Sequence, residues 1–542
     1  MEKIDNASQC WKIILSNVDK NRHLLSEIRE FALRNNSPAE IVFGTSGWRG
    51  EIGTDYTFNN VRVVTQAIIN TFKSVDKDFY DAMGVKDYQD ICNRGVIVGH
   101  DNRFLGKEFA LEVIGLLQAN DIKTFYAGEA ITPEFSSAIE MTGCACSVNL
   151  TPSHNPANFA GFKFNPSDGG PAGSEITSRF EKSANELMKN NIILSPQLPS
   201  RYETIDLTDL YIKYLKQRKT IDLEKIKAFI NSTDILVCID NVHGATRGKV
   251  QRILGENKNI IYLRTEEDFL FGGIAPEPSE KNMTIVEKEL SRFPKKTFKL
   301  GVIMDPDGDR IRFTDGKMQI PMNYFGAMAL HFLHEYKGIR GVVAKSVGTS
   351  NFVNAIATKL NVPIKETKVG FKNFRPYMLI NAKERAIVAF EESDGISVYN
   401  HTLEKDSIVG LLLALEMMAT TGENIGSYLQ QIMDKYGAFY PDRSGIAVDR
   451  SLAGKQLIDK LSSIQESYPV GTPIDINGKI LKVKEIITVD GIKIILEDDS
   501  WFMIRPSGTE PKVRFYIESR ILEGKTALFN LAERLTKEAI SR

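Results

Sequence analysis

The chain has 542 residues, 42% of them hydrophobic and 25% charged, enough material for about three to five domains of usual size. Lys+Arg 68 against Asp+Glu 69 leaves a formal net charge of -1, so no global field draws the protein to nucleic acid or an anionic membrane. The start, Met1-Glu2-Lys3-Ile4-Asp5-Asn6, lacks the basic head and apolar core of a secretory signal, and the densest apolar run, Ile408 to Leu415, falls far short of the ~20 residues that span a bilayer. A soluble, cytoplasmic protein without nucleic-acid or membrane partners is expected, its oligomeric state left open.

In chain order, Gly95-Val96-Ile97-Val98-Gly99 reads as a buried strand and Phe109 to Asn120 as a helix. Ile235 to Ile239 and Leu300 to Met304 are further buried strands, Ser350 to Leu360 a helix, and Ala386 to Phe390 another strand. This alternation is the pattern of an α/β protein. From about Gly445 the character changes: strand-like runs at Lys479 to Val483, Gly491 to Glu497 and Val513 to Glu518 precede a helical tail from Lys525 to Arg542, suggesting a smaller α+β domain. Several strands run straight into polar motifs, Val98 into His100-Asp101-Asn102-Arg103, Met304 into aspartates and Phe390 into Glu391, which is where open α/β sheets build sites. The five cysteines, Cys10, Cys92, Cys144, Cys146 and Cys238, form no C-x-x-C pair and read as buried free thiols of a reducing compartment.

Three motifs carry chemistry. Thr151-Pro152-Ser153-His154-Asn155-Pro156 holds a serine hydroxyl in a rigid turn. Asp305-Pro306-Asp307-Gly308-Asp309-Arg310 places three carboxylates at alternate positions with a glycine to bend the chain, an all-oxygen set for a hard cation. An EF-hand is excluded, because its sixth position would be Arg310 and its twelfth Gly316; magnesium fits better. Arg505-Pro506-Ser507-Gly508-Thr509-Glu510-Pro511-Lys512 offers a bidentate guanidinium, hydroxyls and backbone N–H groups for a phosphate. A hydroxyl, a hard-cation site and an anion clamp together point to phosphoryl transfer.

In this order, together with Gly44-Thr45-Ser46-Gly47-Trp48-Arg49-Gly50 and Glu391-Glu392-Ser393-Asp394-Gly395, the motifs resemble the alpha-D-phosphohexomutase family nearly end to end. The resemblance implies four domains around a central cleft, three similar α/β units with mixed sheets sandwiched by helices plus a C-terminal α+β domain, at 1–206, 207–317, 318–424 and 425–542. It implies that Ser153 carries a phosphoryl group, lends it to a sugar phosphate and reclaims the other phosphate of the bisphosphorylated sugar. One Mg2+ held by Ser153, Asp305, Asp307 and Asp309 would serve each chain, with glucose 1,6-bisphosphate as activator and small-molecule sugar phosphates as partners. Lys163 matches the family's candidate general base, a role open to lysine only if cationic neighbours or desolvation lower its pKa. His154 and Arg49 are expected on the serine phosphate, and Arg310 on that phosphate or the substrate's. Glu391 and Ser393 match the sugar readers, although Phe390 stands where a glycine is common and no histidine follows. Arg505, Ser507, Gly508 and Thr509 would anchor the unreacting phosphate. Val369-Gly370-Phe371-Lys372 resembles the phosphoglucomutase loop, with Lys372 a substrate contact, which favours glucose 1-phosphate and glucose 6-phosphate as the interconverted pair. Mannose or pentose phosphates remain the alternative within the class, and a non-catalytic sugar-phosphate binder the alternative outside it.

Overall fold

A computed structural model describes residues 4–44, 47–199, 201–449, 455–476, 478–506 and 512–541. The chain divides into two units, the first comprising residues up to Gln319 with Met378–Ile380 and Gly395–Ile425, the second Ile320–Tyr377, Asn381–Asp394 and the chain from Gly426.

The first unit contains two sheets built on one plan. In the first, Trp48–Glu51 (β1), Val96–His100 (β2), Thr124–Glu129 (β3), Cys146–Leu150 (β4), Phe159–Asn165 (β5) and Glu203–Thr204 (β6) lie in the order β1-β5-β4-β2-β3-β6. β4, β2 and β3 are parallel, whereas β5 returns antiparallel to β4 and β1 antiparallel to β5. In the second, Ile235–Asp240 (β7), Ile260–Leu263 (β8), Phe298–Met304 (β9) and Ile311–Thr314 (β10) run β10-β9-β7-β8, again with parallel strands closed by an antiparallel hairpin. β4 and β7 are buried along their whole length; β7 is apolar up to Asp240, whereas β4 takes Ser147 and Asn149 inside with its apolar residues.

The helix expected at Phe109 to Asn120 spans Gly106–Gln118, entered through Leu105 at φ +62°. Period-two alternation of β5 sends Phe162 and Phe164 to one face, where they join Phe43, Phe72, Phe79 and Phe180 in an aromatic core. The same alternation turns Lys163 to the opposite face, which decides its chemistry below. An N-terminal helix, Ala7–Ser16, is docked by Trp11, whose Nε1 donates to the Ile52 carbonyl at 2.8 Å.

In the second unit, Ile364–Thr367, Val342–Ser346 and Ala386–Glu391 are adjacent parallel strands in that order. A helix at Phe352–Lys359 lies within the stretch expected from Ser350 to Leu360. The C-terminal part is an antiparallel sheet ordered Tyr440–Ala447, Lys512–Ser519, Trp501–Pro506, Ile492–Leu496, Lys479–Ile487, Pro473–Ile476. Helices Lys455–Ser467 and Gly524–Ser541 pack Leu457, Leu461, Leu528, Leu531 and Leu535 against it. The α/β class with a C-terminal α+β domain is therefore as the sequence predicts. Among the described residues no single helix is long and apolar enough to cross a membrane, and all five cysteines are free and buried. Burial pushes the thiols up, Cys10 to about 11 and Cys238 to about 12, so none is poised to react near neutral pH.

Candidate active site

Ser153 sits in the connection from β4 to β5, and the three aspartates sit in the equivalent connection from β9 to β10. The serine is buried with φ +58°, a conformation a non-glycine residue keeps only when its surroundings impose it. Arg103 does much of the imposing. Its guanidinium donates to four loop carbonyls: from Nη2 to Ser153 at 2.6 Å and Asn155 at 2.5 Å, and from Nη1 to Pro156 at 2.5 Å and Phe159 at 3.2 Å. Asp101 holds Arg103 Nε at 3.3 Å and accepts from Thr151 Oγ1 at 2.6 Å, and Thr151 Oγ1 in turn accepts the Ser153 N–H at 2.9 Å. Burial pushes the Asp101 carboxyl up to about 6 against the pull of Arg103. The sequence marks His100-Asp101-Asn102-Arg103 as a polar strand end, but nothing local to it says what the arginine grips.

The aspartate loop is a strand-end turn and a donor set at once. Asp305 Oδ1 accepts the N–H groups of Asp309 at 2.9 Å and Arg310 at 3.0 Å, closing the turn, while its Oδ2 accepts the Ser153 hydroxyl at 2.7 Å. Gly308 has φ +66°, and a Cβ there would lie 2.9–3.1 Å from Ile131 and Thr246 side-chain carbons. Gly308→Ala is accordingly expected to cost about 1–3 kcal/mol of local stability. Thermal unfolding should show a lower midpoint, and an unchanged midpoint with unchanged turnover would remove this account of the loop.

Asp305, Asp307 and Asp309 each bring a carboxylate oxygen within 4.8 Å of the others. Asp307 Oδ1 and Asp309 Oδ1 are buried without a hydrogen-bond partner among the described residues. Two orphaned carboxylate oxygens in an all-oxygen set suit a hard divalent cation. The second oxygens are occupied: Asp307 Oδ2 accepts from Lys163 at 2.6 Å and Thr132 Oγ1 at 2.7 Å, and Asp309 Oδ2 faces Lys163 at 3.0 Å and Lys405 at 3.1 Å.

Lys163 reaches these oxygens because β5 pairs it with Asn149 of β4, and both side chains then meet Thr132 Oγ1. Burial disfavours its charge, but Asp307 and Asp309 outweigh burial and raise its pKa. The condition for a basic lysine is thus not met in this arrangement: Lys163 is held as a cation. Burial also opposes charge on Asp309, yet Lys163, Lys405 and Arg310 hold it well below the carboxylate range, while burial and its acidic neighbours push Asp305 well above it.

His154 Nδ1 lies 3.4 Å from Ser153 Oγ, and burial with Arg310 and Arg49 nearby drives its pKa well down, so it faces the serine as a neutral imidazole. Arg49 Nη1 donates to Asn155 Oδ1 at 3.0 Å, while Nε is buried with no hydrogen-bond partner among the described residues. Burial and Arg310 lower the Arg49 pKa to about 10, which leaves it cationic. Arg310 Nε lies 3.7 Å from Asp309 Oδ1. The first unit thus gathers Arg49, Ser153, His154, Lys163, the three aspartates and Arg310, and adds Thr132 and Lys405, which carry no motif.

In the second unit, the strand Ala386–Glu391 delivers Glu391, whose Oε1 accepts from Ser393 Oγ at 2.8 Å. Glu392 is turned away to Ser346 Oγ at 2.6 Å and Thr349 Oγ1 at 3.2 Å. Lys372 stands in the short 3-10 turn Phe371–Phe374, where its carbonyl accepts the Arg375 N–H, and its side chain makes no hydrogen bond or ion pair to any described residue. Arg505 closes the strand Trp501–Pro506, and its Nε donates to Asp490 Oδ2 at 2.9 Å. Ser507, Gly508 and Thr509, like Thr45 and Ser46, lie outside the described residues.

Four sequence profiles of one family match in succession: phosphoglucomutase/phosphomannomutase alpha/beta/alpha domain I over residues 40–191, domain II over 209–318, domain III over 321–436, and the C-terminal domain over 459–529. This chain belongs to the phosphoglucomutase/phosphomannomutase family. Members are phosphohexomutases, phosphoryl-transferring isomerases that depend on Mg2+. Among similar proteins of this family, phosphoglucomutase 1 of Drosophila melanogaster is 27% identical over 88% of this chain and 92% of its own length. A phosphoglucosamine/phosphogalactosamine mutase of Sulfurisphaera tokodaii is 26% identical over 88% and 95%. Of solved structures, a putative phosphomannomutase from Thermus thermophilus superposes with a TM-score of 0.73 at 27% identity, covering 92% of this chain and all of that one. The N-acetylphosphoglucosamine mutase of Aspergillus fumigatus, solved with GlcNAc-6P and magnesium, shares the fold at a TM-score of 0.53 and 15% identity over 95% and 98%.

Proposed function

We propose that this phosphohexomutase is a phosphoglucomutase, interconverting glucose 1-phosphate and glucose 6-phosphate through phosphorylated Ser153 and a glucose 1,6-bisphosphate intermediate. The observation that carries the phosphoryl-transfer reading is the Ser153 hydroxyl 2.7 Å from Asp305, within a carboxylate set that has two orphaned buried oxygens. In the first half-reaction the Ser153 Oγ–phosphorus bond breaks as a sugar hydroxyl oxygen bonds to phosphorus, the hydroxyl proton passing to a base. In the second, the phosphoryl group at the other sugar position returns to Ser153 Oγ and its sugar oxygen recovers a proton.

Asp305, Asp307 and Asp309, with the serine oxygen, would hold Mg2+, which when bound neutralises charge on the transferring group. Arg49 and Arg310 supply further positive charge there. Lys163 acts as a base only when Asp307 Oδ2 and Asp309 Oδ2 release it, the same two carboxylates turning their Oδ1 atoms to the proposed cation; otherwise it contributes as a fixed cation. Glu391 and Ser393, already hydrogen-bonded to each other, present an acceptor and a donor suited to vicinal ring hydroxyls, and Arg505 and Lys372 provide charge for the second phosphate.

The Val369-Gly370-Phe371-Lys372 loop and the phosphoglucomutase names among the relatives favour glucose. Turnover of glucose, mannose, ribose and N-acetylglucosamine 1-phosphates should show the highest kcat/KM for glucose 1-phosphate. A tenfold preference for another sugar would overturn the substrate while leaving the chemistry in place.

A further inference from the structure

The second unit contains a charged residue that no motif singles out. Asp490 stands at the tip of the hairpin joining Lys479–Ile487 to Ile492–Leu496. The register pairing Ile492 with Ile504 carries this tip past Arg505, so closely that a Cβ on Gly491 would come within 3.3 Å of Arg505 Cα. One carboxylate oxygen, Asp490 Oδ2, accepts two bonds: from Arg505 Nε at 2.9 Å and from the Val369 N–H at 3.0 Å. Val369 opens the loop that carries Lys372, and its side chain packs with Ile487 on a cluster of Val347, Ile495, Trp501, Met503 and Tyr516.

Given the reading of Arg505 as a phosphate clamp and Val369–Lys372 as a substrate loop, we infer that Asp490 is a positioning residue that fixes the arginine's fork and yokes it to that loop.

The physical case rests on what the arginine would otherwise lose. A free arginine side chain carries rotamer entropy, which a dianion must overcome on binding. Asp490 fixes the guanidinium through Nε, one of its five N–H donors, and leaves the terminal nitrogens to set the fork's direction. Burial opposes the arginine's charge, but Tyr516, Asp490 and Glu392 together raise its pKa, so the clamp stays cationic in a partly desolvated position. Because the Val369 N–H ends on the same oxygen, a shift of Arg505 displaces the start of the substrate loop.

The test uses the full-length enzyme and Asp490→Gly, which removes the side chain at a position with φ +63° where alanine would add strain of its own. Affinity for glucose 6-phosphate and for inorganic phosphate is read by calorimetry, independently of turnover. Asp490→Gly is expected to weaken glucose 6-phosphate binding about tenfold or more, the size of one charge-assisted hydrogen bond, and to raise KM more than it lowers kcat. Asp490→Asn, whose Oδ1 can accept both bonds and which tolerates positive φ, should restore binding to within about threefold of the parent. In an Arg505→Ala background, adding Asp490→Gly should raise KM by a clearly smaller factor than it does in the parent, since only the Val369 N–H bond is then left to lose.

Parental affinity in Asp490→Gly, equal losses in the glycine and asparagine variants, or the same fold-loss with and without Arg505 would each overturn the inference. A parent that binds glucose 6-phosphate but forms no glucose 1-phosphate overturns the proposed reaction instead, and the calorimetric comparison still decides the role of Asp490.

Discussion

Ser153→Ala is expected to abolish interconversion of glucose phosphates, lowering kcat by roughly 10⁴-fold or more, while sugar-phosphate binding survives. Losses of this order follow removal of a covalent nucleophile whose neighbours remain in place. The alanine methyl deletes two hydrogen bonds of Ser153 Oγ, to Asp305 Oδ2 and the longer one with His154 Nδ1, and leaves untouched the Arg103 contacts that shape the loop, because those end on main-chain carbonyls. Folding should therefore be preserved, with alanine bearing the strain that serine bears at φ +58°. The check is a coupled assay alongside intact-mass analysis after incubation with glucose 1,6-bisphosphate: the parent should gain one phosphoryl group and the variant none. Activity near the parent's, or a phosphoryl group mapped elsewhere, would dismiss the phosphoserine.

Asp307→Asn should slow turnover by about 10²–10³-fold and move the Mg2+ activation curve to higher concentration. Asp307 offers the cation set a buried, unpartnered Oδ1, whereas its Oδ2 carries Lys163 and Thr132 Oγ1. Asparagine keeps the size and one carbonyl oxygen but removes the charge. The substitution also leaves Lys163 with Asp309 alone of its two carboxylate partners. A kcat that falls while the Mg2+ midpoint stays fixed would assign Asp307 to holding Lys163 and not to metal; unchanged kinetics throughout the titration would exclude both.

These two residues were open to sequence reading because their meaning is local. Asp305, Asp307 and Asp309 mark a candidate cation site through their own spacing, and Ser153 declares a turn through its flanking prolines and asparagine. The buried strands were equally legible, since a run such as Ile235 to Ile239 has no polar residue to place in water. What stayed hidden is held by partners far off in the chain. Thr132 meets Asp307 across 175 positions, and Lys405, whose only local sign is a charged run just before the apolar helix Ser407–Thr421, ends on Asp309. Asp490-Gly491 reads as an ordinary hairpin turn, and only the register of the finished sheet brings its carboxylate to Arg505. For Lys163 the motif marks the position, but the groups that raise its pKa, Asp307 and Asp309, come from the β9–β10 connection of another sheet and are invisible in the local sequence. Topology supplies one further regularity: the serine and aspartate loops occupy the same β-to-β connection in successive sheets, and Glu391 ends a strand just as Leu150 and Met304 do.

The grip of Arg103 on four carbonyl oxygens bears on how the proposed phosphoserine cycle would run. A nucleophile that is alternately esterified and bare changes its charge at each turnover, and a cradle recognising that charge would have to rearrange each time. Here the Arg103 cradle reads only the path of the polypeptide, so in the proposed cycle it would be indifferent to what the serine oxygen carries, and loading and unloading would leave that scaffold unaltered.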